Sequence, residues 1–236
     1  MIIFSGLGLV SIMKIKHFLE HNWLIRKIVD RQIEYAIRMY ARGKLLDVGC
    51  GDKPYRELTQ PFVTEHIGLD HEETLHNKTN IDIFAEADKI PALDNAYDTI
   101  LATSILEHME QPDRVISEMY RVLKSGGYCI ATTPFMWHLH EEPRDFYRFT
   151  KYGLRYLFKK NGFEIVELKP LSGFWVAFGQ QLVYYFWPLR KGGKLNPLWW
   201  IISIIGSLIQ GICYLLNKID HSQRFTTAYL LVAGKK

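Results

Sequence analysis

Short apolar runs alternate with helical periods through the middle of this chain, and that alternation constrains its fold most. KLLDVGC (44–50), HIGLD (66–70), YDTILATSI (97–105) and YCIATTPF (128–135) read as buried strands. Between the last two, DRVISEMYRVLKSGG (113–127) has the spacing of an amphipathic helix closed by glycine. KYGLRYLFKKNG (151–162) predicts a further helix that stops at glycine before a strand, FEIVELKPL (163–171). Ahead of them, residues 15–42 place Phe18, Ile25, Val29, Ile33, Ile37 and Tyr40 at helical intervals, with Gly43 as the stop. Strands apolar on both faces need helices on both sides. The expectation is an α/β fold: a Rossmann-like doubly wound, mostly parallel sheet with an antiparallel last strand and an N-terminal helix. No period of 20–50 residues recurs, which excludes a solenoid.

Charge is unevenly placed. The whole chain has 29 Lys+Arg against 25 Asp+Glu, too small an excess to imply nucleic acid. Residues 173–236 nevertheless hold seven of those cations and one acid, Asp220, with 12 of the 32 aromatic residues. Within them, 174–189 is aromatic-rich, RKGGKLNP (190–197) is a basic turn, and 198–216 is almost unbroken apolar sequence. RFTTAYLLVAGKK then reads as one more strand. The organisation expected is a helical extension (1–43), a core (44–172 and 224–236), and a hydrophobic, basic helical insertion (173–223) before the last strand. Residues 1–13 are apolar but lack a positive leader and a cleavage site, and are too short to span a bilayer. Three scattered cysteines, Cys50, Cys129 and Cys213, form neither a disulfide framework nor a zinc spacing, and point to a reducing, cytoplasmic setting.

The densest local signal is Leu45-Leu46-Asp47-Val48-Gly49-Cys50-Gly51-Asp52-Lys53-Pro54, a buried strand entering a glycine turn. In a doubly wound sheet such a turn lies at the carboxyl edge, where ligands bind. A dinucleotide motif would carry a third glycine, and Asp52 would place negative charge beside a pyrophosphate. A ligand without phosphate fits better. Asp70 ends the next strand about twenty residues on, where an acid accepts ribose hydroxyls.

Taken in order, LDVGCGDKPY, GLD, EADKIPALDNAYDTI and SILEHMEQPDRVISEMYRVLKSGGYCIATTP resemble the class I S-adenosylmethionine-dependent methyltransferases, of the methyltransferase type 11-like kind. The resemblance covers about residues 44–171. The later HEEPRDFYRFTKYGL is similar to a branch associated with cell-surface glycan and lipid metabolism. The resemblance implies that Gly49, Cys50 and Gly51 wrap the methionine and ribose of S-adenosylmethionine, and that Asp47 orients its amino group. It implies ribose binding by Asp70, His71 beside the adenine, and Glu86 and Ala87 reading the adenine edge, with Asp88 as a substitute for Glu86. Thr103 and Ser104 would offer backbone contacts to the methionine end.

Methyl transfer to a hydroxyl requires alignment and removal of a proton, for which histidine is suited near neutral pH. The candidate bases are His108, from LEH, and His138 and His140 after the fifth strand. Capping or core packing is an equally ready role for His108. His138-x-His140-Glu141-Glu142 also invites a metal, but no spacing supplies a third ligand, so none is expected. HEEPRDFYRF reads as a substrate lid in which Arg144 and Arg148 hold an anionic group and Tyr147 covers an apolar or sugar face. Its plainer reading pairs Asp145 with the arginines and lets Thr150 cap the next helix.

The insertion decides location. A single crossing by 198–216 would separate the last strand from its sheet, and a hairpin with 174–189 would carry RKGGKLNP across against the positive-inside rule. Interfacial attachment avoids both problems. The bland alternatives are a homodimer interface or a lid. The function expected is S-adenosylmethionine-dependent O-methylation of a glycan or lipid-linked small molecule, peripheral at the inner membrane face. The rivals are a quinone or isoprenoid methyltransferase and a non-catalytic cofactor-binding scaffold.

Overall fold

A computed structural model describes residues 20–190, 193–220, 222 and 224–236; the apolar stretch 1–13 lies outside them. Helix α1 spans Trp23–Tyr40. Strands β1 (Gly43–Val48) and β2 (Val63–Asp70) flank a one-turn helix, α2 (Arg56–Thr59). Strands β3 (Ile83–Phe84) and β4 (Tyr97–Thr103) follow, then helix α3 (Pro112–Val122) and strand β5 (Leu123–Pro134). Helix α4 (Lys151–Lys160) and strand β6 (Glu164–Pro170) precede helices α5 (Phe174–Phe186) and α6 (Pro197–Asn217) and the last strand, β7 (Ala228–Gly234).

The sheet runs β3-β2-β1-β4-β5-β7-β6. The β1, β2, β3, β4 and β5 pairings are parallel, whereas β7 runs antiparallel to both β5 and β6. Alternate residues of each strand explain the two helical layers. Leu46, Ile100, Cys129 and Leu231 point to one face, where Ile116 and Met119 of α3 and Leu154 and Phe158 of α4 cover them. Leu45, Leu101, Ile130 and Leu230 point to the other, under Ile33, Ala36 and Ile37 of α1. Both faces are therefore buried, as the continuous apolar runs require.

One boundary differs from expectation. The helix ends at Val122, and LKSGG belongs to the strand that follows. Leu123 is fully buried and pairs with Tyr97, which pulls the chain into the sheet five residues early. Gly126 (φ +79°) and Gly127 then form an irregularity within β5. A Cβ on Gly127 would come within 2.8 Å of the Asp98 carbonyl oxygen, so the glycine is required there.

The insertion is a pair of helices. Gly179 of α5 lets α6 approach so closely that a Cβ there would sit 2.5 Å from the Cys213 sulfur. Trp23, Leu24 and Ile25 at the start of α1 pack on Val176 of α5. The pair is thus anchored to the extension as well as to the sheet.

Candidate active site

The carboxyl ends of β1, β2 and β4 meet where the strand order reverses, and a cavity of about 490 Å³ opens there. Gly49, Cys50, Gly51, Asp70, His71, Thr103, Ser104 and His108 all line it. The glycine turn is required by its own geometry. Gly49 (φ +69°) is left-handed, and a Cβ on it would lie 2.5 Å from the Ile105 side chain. Beneath the turn Lys53 is buried and bonded to Asp82. Gly68 of β2 leaves the room, since a Cβ there would strike both Lys53 and Cys50.

Asp70 is held ready for a ligand. Gly51 N–H donates to its Oδ2 at 2.9 Å and His71 N–H to its Oδ1 at 2.8 Å. Each oxygen retains a lone pair, which suits a vicinal diol. Asp47 is 1% exposed; its Oδ2 meets His66 Nε2 at 3.0 Å, while its Oδ1 is buried without a partner. Burial pushes the Asp47 carboxyl up, against the pull of His66. Burial also pushes the Cys50 thiol up to about 12, so it stays neutral beside the cavity. A nucleoside matches the Asp70 acceptors. The cavity residues therefore fit S-adenosylmethionine, with Asp70 able to accept ribose hydroxyls and the glycine turn open to close backbone approach, whereas Asp47 is buried beneath the turn and does not line the cavity.

The adenine-side residues lie apart. Glu86 and Asp88 line a smaller neighbouring pocket of about 200 Å³, and Ala87 is buried in the core. Arg144, His108 and Met109 form walls of both pockets. Arg144 donates to His71 Nδ1 at 3.3 Å and to Glu73 at 3.3 Å, so the lid loop reaches across to the turn after β2.

The three histidines part company. His108, on a short turn after β4 (Leu106–His108), is buried, with Nδ1 2.7 Å from the Arg144 carbonyl oxygen. A carbonyl only accepts, so Nδ1 carries a proton and is the donor. His140 lies edge-on to His108, with ring centroids 4.8 Å apart. His138 turns away and packs on Tyr184 of α5 at 4.0 Å. Burial lowers the pKa of both His138 and His140.

Spacing alone did not single out Glu107, although it stands in the LEH triplet beside His108. It is fully buried, and among the described residues neither carboxylate oxygen has a hydrogen-bond partner. Burial pushes its carboxyl up to about 8.

Arg148 is committed to Asp145, with paired bonds of 2.6 and 2.7 Å, and to the carbonyl of His138 at 2.8 Å. The Arg148 guanidinium holds the Asp145 carboxyl well below the usual carboxylate range. Arg148 therefore fastens the loop rather than standing ready for an anion. Tyr147 is exposed and donates to the Glu110 carbonyl at 3.0 Å. Thr150 caps α4, accepting from Gly153 N–H at 3.1 Å. Beyond His138, a groove of about 720 Å³ runs along α5 between Phe178, Leu182, Tyr184, Tyr185, Trp187 and Pro188. His138 also lines this groove, and His140, two residues on, packs its ring against His108 of the main cavity.

Residues 46–131 match the family model described as a methyltransferase domain. An uncharacterized protein of Methanocaldococcus jannaschii is 29% identical over 155 residues, 62% of this chain and 72% of that protein. A probable S-adenosylmethionine-dependent methyltransferase of Mycolicibacterium smegmatis is 27% identical over 136 residues, 55% of this chain and 52% of that protein. Among solved structures, an S-adenosylmethionine-dependent methyltransferase from Archaeoglobus fulgidus superposes with a TM-score of 0.57 at 20% identity, covering 93% of this chain and 99% of the other.

Proposed function

We propose an acceptor for a chain that belongs to the class I S-adenosylmethionine-dependent methyltransferases: a hydroxyl on a glycan or lipid-linked small molecule, met at a membrane surface. Its cofactor is S-adenosylmethionine, which supplies an electrophilic methyl on a positively charged sulfur.

The observation that carries the acceptor is the inverted burial of α6. Its inward side is Ser203, Gly206, Ser207, Gln210 and Cys213. Its outward side is Leu198, Ile201, Ile204, Ile205, Leu208, Ile212 and Leu215, all exposed. A helix in water turns the other way. An apolar strip of this size calls for lipid or a second copy to cover it. Helix α6 is also long and apolar enough to cross a bilayer by length and composition, at 21 residues with mean hydropathy 1.8. Its polar side, however, is fastened to the extension, with Leu24 N–H donating to Gln210 Oε1 at 3.1 Å. That tie favours a helix lying on the membrane over one crossing it. Arg190 stacks between Trp187 and Trp199, with its guanidinium carbon 3.6 and 3.8 Å from the ring centroids, an arrangement suited to headgroup level.

The groove along α5 suits an aliphatic tail, and its His138 end delivers the polar head towards His140 and His108. An isoprenoid quinone would use the same groove but accept the methyl on carbon. Incubation with a membrane lipid extract and ¹³C-methyl-labelled S-adenosylmethionine separates them. A labelled methoxy resonance, on glycan or on lipid, supports the proposal; a C-methyl resonance favours the quinone, and label in neither form overturns both. Flotation with anionic vesicles tests location. Ile204→Lys with Leu208→Lys should abolish recovery, and equal recovery, or a dimer that ignores vesicles, would sink it.

A further inference from the structure

The geometry points to a divalent transition-metal site formed by Glu107, His108 and His140. A carboxyl group, charged or protonated, that is buried with no hydrogen-bond partner among the described residues is costly to fold unless something compensates it. Glu107 is in that position, with both oxygens unpartnered and fully buried. The nearest cation, Arg148, already donates to Asp145 and to backbone carbonyls. What stands beside Glu107 instead are two imidazoles. One donor atom from each of Glu107, His108 and His140 lies within 4.8 Å of the others.

The histidines are prepared as ligands. His108 donates Nδ1–H to the Arg144 carbonyl at 2.7 Å, so Nε2, 3.9 Å from Glu107 Oε1, is the nitrogen turned towards the other two ligands. His140 Nδ1 has two acceptor oxygens in reach, His138 O at 3.3 Å and Asp145 Oδ2 at 3.4 Å. Its third neighbour, Arg148 Nη2 at 3.5 Å, is engaged elsewhere. Metal-bound histidines are characteristically anchored in this way through the second ring nitrogen. Tetrahedral donors at bonds of about 2.0–2.1 Å lie about 3.4 Å apart, so rotamer adjustments of about 1 Å close the set. Two imidazoles and a carboxylate select a first-row ion such as Zn²⁺ over Mg²⁺ or Ca²⁺.

Glu141, 3.7 Å from the same His108 nitrogen, lines the main cavity together with His108. The ion would therefore face the acceptor space. This role rests on the proposed methyl transfer. An acceptor hydroxyl held at the ion would give up its proton to solvent water. Its oxygen forms the O–CH₃ bond as the CH₃–S bond breaks, and that electron pair stays on sulfur.

Binding is measured without cofactor or acceptor, so it stands apart from the acceptor question. Tag-free protein is stripped with chelator and titrated calorimetrically with Zn²⁺, and with Co²⁺ as a spectroscopic probe. One ion per chain is expected, with the intense visible bands of tetrahedral cobalt. Glu107→Gln and His140→Ala should each weaken binding at least 100-fold, and His138→Ala should not. Stripped Glu107→Gln protein should melt no lower than the stripped parent, which shows that it folds. No saturable binding, binding untouched in Glu107→Gln, or equal loss in His138→Ala would overturn the site. A bound ion in a protein that methylates no hydroxyl would overturn the acceptor reading alone.

Discussion

The ring of His108 donates Nδ1–H to the carbonyl oxygen of Arg144 across 2.7 Å, tying the turn after β4 to the lid loop. That bond fixes which nitrogen can act on a substrate. Nε2 is the one left at the cavity, whether it takes a proton or holds an ion. Replacement by alanine should lower kcat by about 10²–10⁴, the usual contribution of a positioned acid or base. The dissociation constant for S-adenosylmethionine should change little, because Gly49, Gly51 and Asp70 remain. Calorimetry beside steady-state rates checks this, and unchanged turnover would transfer the role to His140.

Asp70 should show the opposite split. Its carboxylate accepts from Gly51 N–H and His71 N–H at once. In Asp70→Asn one of those N–H groups faces an amide NH₂, and one oxygen is lost to the ribose. Cofactor affinity should fall by about 10–100-fold, equivalent to one or two charge-assisted hydrogen bonds. Calorimetry with S-adenosylhomocysteine reads this without turnover.

These two residues were legible in the sequence because Asp70 ends β2 and His108 sits on the short turn that follows β4. The period of two and the glycine turn place them at one edge of a doubly wound sheet. Glu107 was not, although it stands in the same triplet. Its importance comes from burial and from the absence of a partner, and neither has a sequence period. His138 and His140 looked like a pair because they are two residues apart. The backbone after β5 sends one to Tyr184 and the other to His108. LKSGG resembles a C-terminal helix stop, yet the helix ends at Val122. Only the pairing of Leu123 with Tyr97 reveals strand there. The insertion was visible as composition, but the inward direction of its polar side was not.

The stretch after Glu86 and Asp88 is clamped to α3 through Glu118 and Arg121. Arg121 donates to Glu118 at 2.7 and 2.8 Å and to the carbonyls of Ile90 and Ala92. The hydrogen bonds from Arg121 hold the Glu118 carboxyl below its ordinary 4.5. A depressed acid stabilises the fold above its unfolded value, and that contribution fades as pH falls through the folded value. Parent protein should therefore lose stability as pH drops below about 4.5, the ordinary glutamate range, and Glu118→Gln should show a shallower loss. At neutral pH the variant should melt about 2–8 °C lower, for about 1–2 kcal/mol of weakened charge-assisted bonding. Thermal melts across pH 3–7 decide it.

Gln210 is the residue on which the orientation of α6 turns. It is 1% exposed, and its Oε1 accepts from Leu24 N–H, one of the helix-start donors of α1 that no carbonyl of its own helix can satisfy. Its Nε2 donates to the Glu20 carbonyl at 3.3 Å. Gln180 of α5 makes a similar tie, donating to the His21 carbonyl at 2.7 Å. Leucine at position 210 would be nearly the same size and more apolar, so hydropathy alone forecasts a gain. The structure forecasts a loss of about 1–3 kcal/mol, because a buried N–H is left unsatisfied. For a chain of this length that is about 2–12 °C in Tm. Were α6 instead a membrane span with Gln210 facing lipid, Gln210→Leu would raise stability in detergent and leave α1 untouched. Melting in detergent and in its absence, with amide exchange at Leu24 as the local readout, distinguishes the two arrangements.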